Sequence, residues 1–132
     1  MGLDMNMYAT SGEDLTEQVD DSVWDAYESW YWRKANSIHN WMVENVQNGT
    51  DDCGVYEVTL SQVHELRNIV EEVLRDPEKG PELLPTVTGF FFGDTSYGPW
   101  YLEDLELTRS HIIEMLEQSK LGETRFFYAS SW

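Results

Sequence analysis

Hydrophobic positions along the chain repeat with more than one period, and the period of each stretch predicts its element. After Ser22, a residue type that caps helices, Trp24, Tyr27, Tyr31, Ala35, Ile38, Met42 and Val46 recur every three or four residues. That spacing forms a single stripe at about 100° per residue. It predicts a long amphipathic helix over residues 22–47, stopped by Asn48 and Gly49. Trp30 and Trp41 fall on one flank of the stripe and Trp32 near His39 on the other, which makes the helix central or interfacial. Residues 54–58 alternate and predict a short, half-buried strand. Thr59 with Gln62 then matches a capping box, and Val63, Leu66, Val70, Val73 and Leu74 carry a second helix as far as Asp76 and Pro77.

Pro81, Pro85 and Gly80 mark residues 79–85 as a connector. Residues 86–92, with Val87 and three consecutive phenylalanines, read as a strand, and residues 94–98 as a loop. Pro99 suits the first position of a third helix, whose buried stripe would be Tyr101, Leu105, Ile112 and Leu116. Leu121 and Gly122 stop it, and residues 124–132 read as a closing strand. The expected class is α+β and helix-rich, with about three helices packed on a small, mainly antiparallel sheet of short strands.

A length of 132 residues suits one core. Residues 1–21 carry six acids, no Lys or Arg, and an interrupting Ser11-Gly12 pair. They are expected to form a mobile acidic arm, with residues 22–132 as a single globular domain. Eight Lys plus Arg against 25 Asp plus Glu leave a net charge of −17. Such a balance opposes binding to duplex nucleic acid or anionic membrane, both of which need clustered cations, and favours a basic partner. Hydrophobic residues at 41% and aromatics at 14% exclude a disordered acidic tail. Cys53 is the sole cysteine, so an intramolecular disulfide is excluded and a reducing cytoplasm is expected. The N-terminal segment lacks the basic and apolar regions of a secretion signal, and no run of about 18 apolar residues offers a membrane span. Asn48, Gly49 and Thr50 match a glycosylation sequon but read as a turn in that setting.

The sharpest candidate chemistry is Trp30, Trp32, Arg33 and Lys34, followed by Asn36 and His39, because two of the eight basic residues stand among aromatics. A guanidinium takes a phosphate bidentately and an aromatic ring stacks on a base, so the group is a candidate anion or nucleotide site. Its alternative is a core segment, with Lys34 in a cation–π contact and Arg33 facing solvent or paired with an acid. Asp51 and Asp52 beside Cys53 are weak candidates for a divalent metal, since a hard cation needs more oxygen ligands than a dipeptide presents. His39, His64 and His111 lack the spacing of a helical zinc site. The glycines at 89 and 93 flank phenylalanines without the phosphate-cradling pattern. No cofactor is expected.

The run from Tyr31 through Arg33, Lys34, Ala35 and Asn36 to His39 and Trp41 resembles a family of small proteins of unknown function encoded by bacteriophages and prophages. So do Asn45-Val46-Gln47-Asn48-Gly49, Asp51-Asp52-Cys53, Leu83-Leu84-Pro85-Thr86, Gly89 to Gly93, Trp100-Tyr101 with Asp104-Leu105, and Ser130-Ser131-Trp132. The likeness spans residues 31–132. It implies a phage origin and action in the cytoplasm of the bacterial host; no catalytic residue comes with it. The expectation that follows is a non-enzymatic phage accessory protein that binds and inhibits a host factor, foremost a bacterial defence component. Its partner would be a basic host protein surface or an anionic nucleotide. The competing expectations are a small phosphoester- or nucleotide-processing enzyme, using Arg33, Lys34 or His39 with Asp51 and Asp52, and a phage structural or assembly protein. The oligomeric state stays open.

Overall fold

Leu3, Met5, Met7 and Ala9 alternate with polar residues, and in a strand this places all four on one face. A computed structural model, which describes residues 2–16, 27–88 and 95–132, carries that face through the centre of the molecule. Strand β1 (Asp4–Thr10) lies between β2 (Glu28–Arg33) and β4 (Arg125–Ser131), with β3 (Val55–Val58) on the far side of β4. Every pairing is antiparallel, in the order β2-β1-β4-β3. The helices are α1 (Asn36–Asn45), α2 (Leu60–Arg75), the single turn α3 (Gly80–Leu83) and α4 (Pro99–Ser119). The α+β class expected from the pattern holds, with the short α3 added to the three helices anticipated.

Register fixes which side chains form the core. Met5 stands opposite Trp32 and Ser130, Met7 opposite Trp30 and Tyr128, and Ala9 opposite Phe126, which in turn faces Val58. These residues share one face and, apart from the polar but buried Ser130, belong to a single cluster with Ile38 and Met42 of α1, Val63, Leu66, Val70 and Val73 of α2, and Tyr101, Leu105, Ile112 and Met115 of α4. On the opposite face Phe127 is also fully buried, as is Leu15. The guanidinium of Arg125 lies 5.3 Å from the Phe127 ring centroid and grips both carboxylate oxygens of Glu57, at 2.7 and 2.9 Å.

Two expectations are corrected. The segment assigned to a mobile arm supplies the central strand over residues 4–10. Beyond it, the Thr10 hydroxyl donates to the Glu13 carbonyl and Arg125 donates to that of Gly12. Its acids misled because only Asp4 lies in the strand, where it pairs with Arg33 of β2. Residues 17–21 lie outside the described residues. Of the long helix expected over 22–47, residues 28–33 are strand, since Trp30 and Trp32 point inward while Ser29, Tyr31 and Arg33 stay exposed. Period two governs there, and aromatic residues suit a pleated sheet. The helical stripe takes over only at Ala35, and residues 22–26 lie outside the described residues.

The remaining elements follow their local signals. The Thr59 hydroxyl accepts from the Gln62 amide while the Gln62 side chain accepts from the Thr59 amide, so the capping box is complete. Pro99 opens α4, and α4 buries the four residues expected of it together with Thr108 and Met115. Residues 86–88 are neither strand nor helix, and the rest of the strand expected up to residue 92 lies outside the described residues. Among the described residues no helix is long and apolar enough to cross a membrane.

Candidate functional site

Strand β2 cannot run directly into α1, because the chain must leave the sheet edge and turn beneath it. Lys34 makes the turn in a left-handed conformation, φ 56°, and its amide donates to the Leu3 carbonyl at 2.7 Å. The side chains of Arg33 and Lys34 therefore lie over the start of β1. A Cβ on Gly2 would stand 3.1 Å from Cε of Lys34 and 3.2 Å from Nη2 of Arg33, so the lack of a side chain at Gly2 makes their approach practicable. Asn36 and Ser37 follow as the first residues of α1, which has no side-chain cap.

These four residues form one wall of a cavity of about 410 Å³. The first turns of α4 form another wall through Trp100, Tyr101 and Asp104, and Thr86 and Ser96 complete the rim. Much of the frame is held by hydrogen bonds. The Tyr101 hydroxyl donates to the Leu84 carbonyl at 2.8 Å, and its ring meets that of Tyr97 edge-on at 4.9 Å. The Thr86 amide donates to the Tyr97 hydroxyl, and the Thr86 hydroxyl to the Thr95 carbonyl. The Asn36 side-chain oxygen accepts from the Val87 amide at 3.1 Å, tying α1 to the segment after α3.

Charge within the cavity is divided. Arg33 pairs with Asp4 at 3.1 Å, an exposed contact of the kind that contributes little and yields readily to a better anion. The Tyr31 hydroxyl also donates to Asp4. The Tyr31 oxygen beside the guanidinium, and after it the Asp4 charge, push the Arg33 pKa up. Lys34 makes no ion pair among the described residues, although the chain carries 25 acids. On the α4 wall, burial pushes the Asp104 carboxyl up to about 7, with Glu103 adding to the rise. Burial likewise raises Tyr101, which stays a hydroxyl at neutral pH.

The residues singled out in sequence are thus divided among different places. Arg33, Lys34 and Asn36 meet at the cavity. Trp30 and Trp32 do not: they are buried under the helices, their indole N–H groups donating to Glu114 at 3.3 Å and to Thr108 at 2.8 Å. They are core, and neither presents a face for stacking. Trp100 presents one instead, being 69% exposed at the cavity mouth. His39 is buried beneath the sheet, between Tyr128 on Nδ1 at 2.7 Å and Asp51 on Nε2 at 3.0 Å. Both ring nitrogens are thus engaged, and burial holds the Tyr128 hydroxyl protonated.

Asp51 also accepts from the Trp132 indole at 3.1 Å, whereas Asp52 accepts from the Tyr56 hydroxyl and the Gly54 amide, which hold its carboxyl below the usual range. The two carboxylates thus serve separate partners. Among the described residues no group of three His, Cys, Asp or Glu is placed to hold a metal. His64 lies in a second cavity, of about 390 Å³, between α2 and α4, and His111 donates to the Tyr31 carbonyl at the sheet edge. Of residues 89–95, only Thr95 is among those described. Trp100 and Asp104 escaped selection as site residues because they carry no spacing signal with the basic pair; only the tertiary fold brings them together.

Comparison with family models, with curated proteins and with solved structures finds no match to this chain.

Proposed function

We propose that this chain is a binding protein of phage origin that disables a host factor, foremost a component of bacterial defence, by taking up a small anionic nucleotide at the cavity between α1 and α4. The observation that carries this reading is the meeting of Arg33 and Lys34 with the open face of Trp100 around about 410 Å³. That volume lies within the range of about 300–1,000 Å³ usual for small-molecule sites. Phosphate recognition needs cations with free N–H groups, and base recognition needs an exposed π-face; the cavity offers both. Lys34 stands on the cavity wall with no ion pair among the described residues. The segments on which the family resemblance rests supply every lining residue named except Ser96.

Binding rather than turnover is the better-supported activity. The acid–base candidates that the sequence offers, His39 and Asp51, are engaged with each other and with Tyr128 and Trp132, and neither they nor Asp52 line the cavity, where Asp104 is the one carboxyl among the lining residues.

The test is calorimetric titration of the full chain with linear and cyclic nucleotides at low salt. Saturable binding is expected, weakened at least about tenfold by Lys34→Gln, and weakening further as ionic strength passes about 0.15 M. A folded protein that binds none of them would overturn the nucleotide reading and leave the acidic surface, matched to a basic host protein, as the recognition element.

A further inference from the structure

We propose that the cavity selects a guanine nucleotide, with the phosphate at Arg33 and Lys34 and the base lying across Trp100 so that its N1–H and 2-amino group donate to the carboxylate of Asp104. This rests on the reading of the cavity as a nucleotide site and adds the identity of the base.

The cavity is bipolar. Its cations come from the end of β2 and the turn after it, and its carboxylate from the first turns of α4. A ligand that satisfies both walls carries an anion at one end and a pair of donors at the other. Among the polar side chains of the cavity, the Tyr101 hydroxyl is spent on Leu84 and the Asn36 oxygen accepts from Val87, whereas the Asp104 carboxyl has no hydrogen bond or ion pair among the described residues. An ionised carboxylate only accepts hydrogen bonds, with two oxygens side by side. Among nucleobases guanine offers two parallel donors on one edge to match it, whereas adenine offers one amino group beside an acceptor that would face the carboxylate unpaired. Trp100, with most of its surface free, provides the stacking face.

Ionisation of Asp104 supplies a signature that a purely structural role would not produce. Burial keeps this carboxyl partly protonated near neutrality, and the groups around it are Glu103 and Tyr101 on α4 and Arg33 and Lys34 across the cavity. Two donors on guanine select the ionised form, so affinity rises with pH through about 7.

The experiment titrates the full chain with guanosine, inosine and adenosine 3′,5′-cyclic monophosphates, whose phosphodiester does not itself titrate in this range, from pH 5.5 to 8. The guanosine compound is expected to bind about tenfold or more tighter than the adenosine one at pH 8, with inosine, which lacks the 2-amino group, between them. The guanine preference should shrink as pH falls, and Asp104→Asn should abolish both the preference and its pH dependence while cooperative unfolding is retained. Equal affinity for all three, or a preference unchanged in Asp104→Asn, overturns the guanine assignment and leaves the nucleotide site standing. Absence of binding by every nucleotide, linear or cyclic, overturns both.

Discussion

The indole N–H of Trp32 donates to the hydroxyl of Thr108 at 2.8 Å, and that hydroxyl donates in turn to the Asp104 carbonyl at 2.7 Å, one turn back along α4. Both side chains are buried, so neither has water as a substitute partner. The strand that leads into the basic pair is thereby keyed to the helix that bears the opposing carboxyl.

Thr108→Val keeps the shape of that contact and removes its oxygen. The stranded indole N–H should cost about 1–3 kcal/mol. Thr108→Ser, which restores an oxygen, should recover a substantial part of the loss. Urea unfolding of the three proteins measures the difference, and a valine variant as stable as the parent would contradict the contact.

Strand β1 joins β2 to β4, so its loss should be felt by the whole sheet. Deleting residues 1–10 is expected to abolish cooperative unfolding, followed by near-ultraviolet circular dichroism. Met7→Ala, between Trp30 and Tyr128, should cost about 2–5 kcal/mol by leaving a cavity. A mobile arm would permit both changes with little effect.

Asp104 makes stability depend on pH in a direction opposite to the paired acids. Its carboxyl titrates near 7 in the folded chain against 3.8 as the ordinary value. Between those two pH values the folded state holds a proton that the unfolded state has released, so stability falls as pH rises through this window. Asp104→Asn should therefore raise Tm at pH 8 and leave it little changed near pH 3. Glu57, held down by Arg125, and Asp52, held down by Tyr56, act the other way: their contributions are present above pH 5 and vanish as acid protonates them. A Tm profile of parent and Asp104→Asn from pH 3 to 9 tests the sign.

Arg33 and Ile38 separate site from core. Ile38 is fully buried, and Ile38→Ala should destabilise by about 2–5 kcal/mol. Arg33→Ala removes an exposed side chain whose ion pair is also exposed, and its stability change should stay within about 0.5 kcal/mol. Nucleotide affinity of the folded Arg33→Ala protein should nonetheless fall; unchanged affinity would remove the guanidinium from the site.

Local rules acting over a few residues were legible in the sequence. The Thr59–Gln62 capping box, the start of α4 at Pro99, the stripe from Leu105 to Leu116, and the alternation in β3 depend on neighbours within one or two turns, and each forms where its residues predict it. The basic pair at Arg33 and Lys34 was equally visible. What escaped were choices made by distant partners. Leu3, Met5, Met7 and Ala9 already alternate, but the alternation becomes decisive only when Trp30 and Trp32 on one side and Phe126 and Tyr128 on the other offer apolar surface in register. Trp30 to Arg33 fits a helical stripe as well as a pleat, and the unpaired edge of β1 settles the matter, because backbone pairing with β1 buries both indoles at once. Likewise Trp100 and Asp104 lie more than sixty residues from Lys34 in the chain, a separation at which no periodicity operates. The sequence alone determined the helices α2 and α4, the short strand β3 and the acidic charge, because these depend on side chains a few positions apart; pairing across the sheet and the packing of α4 against β2 decided the strands β1 and β2 and the cavity, because burial there is shared between segments that meet only when the chain is folded.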